Sequence, residues 1–359
     1  MDSLKNMFNA ARYRSLASEL TALSPVFNAT TFLDHTLTDL SSRELMDRMR
    51  RTSTGVALAL PLSYREQLAV LRALAPRIGH NFIGIFLSDC VAQHGLDDVP
   101  ASIDALRFFT RFGSAEFAIR PFILRDQSAT LAVLQSWTSS DDEHVRRLAS
   151  EGSRPRLPWG ARLQSLVADP SPTLPILTAL RADDSLYVRK SVANHLNDIS
   201  KDHPDVALDL VSSWDRSHPH TAWIIRHALR TLIKRGHPRA LALLGVGTTS
   251  KLTATFTATP KRIQLGDTVT FTATLTSTSS RSQSLLIDYV VHYARASGKA
   301  SEKVFKWTQL DLPPNSNLTL AKRQTIRDFS TRRHHAGRHR IELQINGRRL
   351  AETAFTLTA

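Results

Sequence analysis

Two periodicities divide the chain. Up to about residue 245, apolar positions recur at helical spacing: Leu68, Leu71, Leu74 and Ile78 keep to one face, as do Phe82, Ile85 and Phe86. Pro25, Pro61, Pro76, Pro100, Pro170, Pro172, Pro204 and Pro219 cut this region into segments of ordinary helix length, and Asp or Ser precedes several of them as an N-cap. After Gly245-Val246-Gly247-Thr248-Thr249-Ser250 the period falls to two. Leu252, Ala254, Phe256 and Ala258 alternate with threonines, as do Val269, Phe271, Ala273 and Leu275. Ile287, Tyr289, Val291 and Tyr293 follow, then Ile341, Leu343 and Ile345, then Phe355 and Leu357, with Asn346-Gly347 as a hairpin turn. About seven short strands are predicted here, which suggests an immunoglobulin-like sandwich without its disulfide.

The helical part repeats itself. Asp141-Asp142-Glu143-His144-Val145-Arg146-Arg147 returns as Asp183-Asp184-Ser185-Leu186-Tyr187-Val188-Arg189-Lys190, and more weakly as Trp223-Ile224-Ile225-Arg226-His227. Val145, Val188 and Ile225 stand 43 and 37 residues apart, the period of a helical repeat, so an α-solenoid is expected. Stacked repeats would align their basic residues on one wall, suited to a polyphosphate backbone. The two basic residues of each copy need not act alike. Arg146 and Arg189 are equally suited to a structural ladder with acids of the next repeat, while Arg147, Lys190 and His227 are the better phosphate candidates.

Charge changes the picture further. The net charge is +14, and from residue 251 onward 6 Lys and 11 Arg face 4 Asp and 3 Glu, a net +10. Nucleic acid or another anionic partner is implied rather than a neutral metabolite. The segment from Thr331 to Arg340 holds four Arg and three His without an acid, including Arg332, Arg333 and Arg338. Cys90 is the only cysteine, so neither an internal disulfide nor a zinc cage is expected. Lys5, Arg12, Arg14 and Glu19 interrupt any leader, and no apolar run would cross a bilayer. A cytoplasmic monomer without membrane contact is the expectation.

Between the first two repeats lies Glu151-Gly152-Ser153-Arg154-Pro155-Arg156-Leu157-Pro158-Trp159. Two prolines stiffen the connection, and a Trp face beside a carboxylate suits a cation. This segment, the preceding Val145-Arg146-Arg147, and Val188-Arg189-Lys190-Ser191-Val192-Ala193-Asn194-His195-Leu196-Asn197-Asp198 resemble the AlkC-type DNA glycosylases of alkylation repair. The resemblance covers nearly the whole chain. It implies a multidomain α + β protein, a HEAT-like α-solenoid over residues 1–245 followed by a basic immunoglobulin-like β-sandwich over 251–359 that clasps duplex DNA.

The resemblance also implies an activity: hydrolysis of the N-glycosidic bond of cationic N-alkylated bases, such as 3-methylcytosine and 3-methyladenine, without flipping the lesion into a pocket. Duplex DNA containing alkylated bases would be the partner, and neither metal nor cofactor is required. Carried over residue by residue, Glu151 and Asp198 would stabilise the sugar cation and position water, Trp159 would pack on the deoxyribose, and Glu116 would extend the acidic wall. Arg147, Arg154, Arg156, Arg189, Lys190, Arg226, His227, Arg332, Arg333 and Arg338 are the expected DNA contacts. Read without the resemblance, Glu151 and Asp198 suit helix-end carboxylates and Trp159 suits an interhelix plug. A non-catalytic HEAT-repeat scaffold that binds nucleic acid is the alternative, and it has no need of Glu151, Trp159 and Asp198 together.

Overall fold

The computed structural model describes residues 4–247, 251–294, 301–329 and 333–358; Arg332 lies outside them. The chain forms two compact units, Met1–Ala228 and Leu229–Ala359. The first is all helical. Its repeats are built on the expected signals: Asp142 accepts a capping bond from the His144 N–H, and Ser185 from those of Tyr187 and Val188, just ahead of each Val-Arg pair. Helix Leu186–Asp202 packs on Glu143–Gly152 on one side and on Pro219–Ala228 on the other, so the three copies stack in sequence order. Val145, Val188 and Ile225, the aligned apolar positions of the three copies, are all buried. Pro76 departs from expectation. It ends no segment but sits within the last turn of helix Tyr64–Ile78, which Gly79 closes at φ 71°.

The second unit is an immunoglobulin-like sandwich. Its strands are β1 (Leu252–Thr259), β2 (Arg262–Ile263), β3 (Thr268–Ser277), β4 (Gln283–Tyr293), β5 (Ser301–Leu312), β6 (Asn317–Thr325), β7 (Gly337–Ile345) and β8 (Arg348–Leu357). They form a sheet β1-β3-β6 and a sheet β2-β8-β7-β4-β5, antiparallel except for β2 on β8. The alternation of apolar residues with Thr puts Val269, Phe271, Ala273 and Leu275 inside and the intervening threonines toward water. Phe271 is central, with ring centroids 6.0 Å from Phe256 and 5.5 Å from Tyr289. Trp307 packs partly buried against this core, in agreement with a sandwich role. Asn346 and Gly347, both at positive φ, make the β7–β8 hairpin turn.

The chemical change near residues 245–251 marks where the strands begin, yet the compact units part earlier, at Ala228/Leu229. Helices Arg230–Lys234 and Pro238–Leu243 belong with the sandwich. Gln344 Nε2 donates to the Lys234 carbonyl (3.0 Å), and Asn346 Nδ2 to that of Gly247 (2.9 Å).

Beneath Gln344 lies Asp288, 4% exposed, which burial raises to a pKa of about 6. The folded carboxyl therefore holds its proton more tightly than an unfolded one. Stability from this group is full below pH 4, falls as pH rises toward 6, and stays lowered above it. Asp288→Asn should accordingly stabilise the full chain at pH 7.5 by roughly 2–3 kcal/mol, with the difference vanishing near pH 4. Urea unfolding of both proteins at pH 4, 5, 6 and 7.5 would check this.

Candidate functional site

The segment from Glu151 to Trp159 and the end of helix Leu186–Asp202 meet around one guanidinium. Arg154 donates from Nη1 to Glu151 Oε1 (2.7 Å) and from Nε to Asp198 Oδ2 (2.9 Å), so it links carboxylates from successive repeats. Glu151 and Asp198 are 6% and 2% exposed. Ser191 Oγ donates to the other Glu151 oxygen (2.6 Å), and Lys201 Nζ to the other Asp198 oxygen (2.9 Å). Both acids are thus fully bonded by charged or hydroxyl donors, the condition under which burying them is tolerable. Among these partners only Lys201 reaches water, its side chain 40% exposed.

Glu116 joins the same network through Arg147. Arg147 Nη1 donates to Glu116 Oε2 (2.9 Å) and to Ser114 Oγ (2.6 Å), and Nη2 lies 3.5 Å from Glu151 Oε1. Its guanidinium stands 4.7 Å over the Tyr187 ring. Burial works against its charge, but Glu116 and Glu151 outweigh that and hold its pKa up. The turn carrying Ser114 and Glu116 is set by Gly113, which lies against Gly84; a Cβ on Gly113 would fall 2.4 Å from backbone there.

Arg120 fixes the loop that leads to Trp159. It is 1% exposed and donates from Nη1 to the carbonyls of Gly152 (3.0 Å) and Arg154 (2.9 Å) and from Nε to that of Ala161 (2.7 Å). Burial, reinforced by Arg154, lowers its pKa to about 10, which still leaves it cationic at neutral pH. From this clamped loop Trp159 stands out 66% exposed, at φ 65°, a backbone conformation that costs a bulky residue energy. It is no interhelix plug. His195, fully buried below, is held neutral by burial and then by Arg154, with a pKa of about 3; its Nδ1 lies 3.0 Å from the Ser150 carbonyl. Among the described residues no three His, Cys, Asp or Glu side chains converge as a metal ligand set.

Several expected phosphate contacts lie elsewhere. Arg147 and Arg154 are inside the acid network, so their guanidiniums are not presented to a partner. Arg189 is likewise engaged within the protein: Nη1 donates to the Asp183 and Asp184 carbonyls (2.8 and 2.7 Å), with the guanidinium 5.8 Å over Trp223. Arg146 makes the same turn-back bonds and grips Asp183 of the next repeat at 2.7 Å, as Arg111 grips Asp142. Arg146 is therefore a rung between repeats, while Arg189 is tied to its own helix start. Arg156 is salt-bridged to Asp202 by two bonds (2.6 and 2.8 Å) at the partly exposed edge. Lys190, Arg226, His227, Arg333 and Arg338 are exposed, with His227 stacked on Trp223 at 3.8 Å.

Sequence reasoning missed Arg120, Ser191, Lys201 and Tyr187. Lys201 and Arg154 each stand three residues after the acid they pair with, a legible helical spacing. Arg120 left no such sign, because its acceptors are carbonyls.

The chain is similar to known proteins. A DNA alkylation repair enzyme family matches residues 109–232, and the C-terminal Ig-like domain of uncharacterised protein YhaZ matches 252–359. The chain is 43% identical over 349 residues to YhaZ of Bacillus subtilis (strain 168), covering 97% of each. It matches the solved structure of Pseudomonas fluorescens alkylpurine DNA glycosylase AlkC bound to DNA containing an abasic site analog with a TM-score of 0.96, at 48% identity and over 100% of both chains.

Removing Arg120 would leave the buried carbonyls of Gly152 and Arg154 unpaired and release that of the more exposed Ala161. Arg120→Met should destabilise the first unit by about 3 kcal/mol or more, and Arg120→Lys, which cannot span all three, by less. Denaturant unfolding would measure the loss, and limited proteolysis should then cut within residues 153–162 faster than in wild type.

Proposed function

The chain belongs to the AlkC-type family of DNA alkylation repair glycosylases, and from that premise we propose that it excises cationic N-alkylated bases, 3-methylcytosine and 3-methyladenine among them, from duplex DNA. A base already alkylated carries positive charge and departs as a neutral molecule, so no acid need protonate it. The bond that breaks is C1′–N, its electron pair leaving with the base. What remains is an oxocarbenium-like deoxyribose, which water attacks at C1′ while losing its proton to a carboxylate.

The observation that carries this reading is the pair Glu151 and Asp198, bridged by Arg154 beside the loop that presents Trp159. Negative charge fixed in a buried site acts more strongly than the same charge in water, and it needs no reorganisation as the sugar cation forms. The exposed Trp159 ring offers its negative π face to that cation. Glu116 acts at one remove, holding Arg147 against Glu151. Asp198 has one oxygen capped by Lys201, and a phosphate of the bound strand would compete for that ammonium and free the oxygen.

In this mode the lesion stays in the stack and the sugar is approached through a groove. DNA would be held by Lys190, Arg226 and His227 of the repeats, and by Arg333 and Arg338 of the sandwich. Arg147, Arg154 and Arg189 shape the protein beneath these contacts.

Single-turnover excision on duplexes containing 3-methylcytosine, 3-methyladenine, 7-methylguanine or no lesion tests the proposal. Wild type should release the 3-methyl bases. Glu151→Gln, Asp198→Asn and Trp159→Ala should each lose roughly a hundredfold or more in rate, with DNA affinity within a few-fold and the melting temperature checked in parallel. Binding by wild type with release of no base would make the protein a scaffold and its acids structural.

A further inference from the structure

A recess of about 380 Å³ opens within the second unit, between the end of helix Arg230–Lys234 and strands β5, β7 and β8. The helix end contributes Lys234 and Arg235, β5 contributes Glu302 and Val304, and β7 and β8 contribute Gln344 and Arg349. Its walls are tied together through the main chain. Gln344, 1% exposed, donates from Nε2 to the Lys234 carbonyl (3.0 Å). Gly236 and Gly347, at φ 72° and 78°, stand back to back, and a Cβ on Gly236 would fall 2.6 Å from the Gly347 Cα. Lys234 and Arg235 are thus carried to a fixed place beside the strands.

The charges of this recess are unevenly satisfied. Arg349 is engaged within the wall, donating from Nη2 to Glu302 Oε1 (2.7 Å) and from Nη1 to Glu342 Oε2 (2.7 Å). Lys234 and Arg235 are exposed, and among the described residues neither side chain has a hydrogen-bond or ion-pair partner. Burial raises the pKa of Asp288 below them although Lys234, Lys306 and Arg349 pull it down, so Lys234 is near a carboxylate without being bonded to it. Two adjacent unpaired cations suit a phosphate group. Across from them the Glu302 side chain is 50% exposed. It would repel a passing DNA strand, which carries a charge at every nucleotide, but it accepts readily from hydroxyls. The volume lies at the lower end of that of small-ligand clefts, about 300–1,000 Å³. We propose that this recess binds a small phosphorylated molecule bearing hydroxyls, a sugar phosphate or a mononucleotide, with its phosphate on Lys234 and Arg235 and a hydroxyl on Glu302. The site is separate from the acids of the first unit and goes beyond the excision chemistry proposed for them.

Calorimetric titration of the full chain at pH 7.5 with ribose 5-phosphate, AMP, inorganic phosphate and ribose tests this. Ribose 5-phosphate and AMP should each saturate one site at millimolar concentration or below, and ribose should not bind. Combining Lys234→Ala with Arg235→Ala should weaken binding roughly tenfold or more. Both residues are exposed, so this double variant should keep the wild-type melting temperature. Asp288→Asn, which removes a carboxylate competing for Lys234, should tighten binding a few-fold. Glu302→Gln should lower the preference for ribose 5-phosphate over inorganic phosphate. Absence of saturable binding by ribose 5-phosphate and AMP would overturn the proposal, as would affinity in the double variant within twofold of wild type. A fall of about two in the salt slope of duplex-DNA binding by the double variant, with no sugar-phosphate binding by wild type, would also overturn it and give both cations to the DNA backbone. None of these measurements reads excision, so this site and the glycosylase reading fail separately.

Discussion

The guanidinium of Arg154 is the contact on which the site depends. It draws Glu151 from the end of one repeat helix and Asp198 from near the end of the next to opposite sides of a single planar ion. Two carboxylates placed together without it would repel each other in a low-dielectric interior. With it that repulsion is offset by an opposite charge, and the two repeats are locked in register at that point. Ser191 and Lys201 then occupy the remaining oxygens and Arg147 shares Glu151 Oε1 with Arg154, so the network is closed on every side but that of Lys201.

Around that centre the repeat copies divide labour between their two basic positions. The first arginine of each Val-Arg pair turns back onto its own helix start, and in Arg146 it reaches on to Asp183. The second position differs from copy to copy: Arg147 is drawn inward by Glu116, whereas Lys190 stays at the surface. A periodic sequence thus yields a site that is not periodic, because only one copy faces an acidic turn.

Much of this was legible. Helical spacing and capping acids placed the repeats, and strict alternation with Thr placed β1 and β3. Glu151 and Trp159 stood out because an acid, a Trp and stiffening prolines share one short connection, and Asp198 through the resemblance of the second repeat's long helix. The rest was hidden for physical reasons. The partner of Arg147, Glu116, lies 31 residues earlier, and sequence carries no mark of pairings closed by tertiary stacking. Arg120 is bound by carbonyls, which every residue possesses. β5, with Glu302, Lys303 and Lys306 along an edge, and β6, with Lys322 and Arg323, blur the alternation that betrayed their neighbours. The boundary at Ala228 escaped because two helices pack with strands they do not resemble.

Trp159 carries one more implication. At φ 65° its backbone would be more comfortable as glycine, and its ring contributes little burial in exchange. Selection for folding alone would let that position drift to a smaller residue, and the protein would gain stability as it did so. The tryptophan therefore marks a place where stability and activity pull in opposite directions, and variants recovered for heat resistance alone should lose it early.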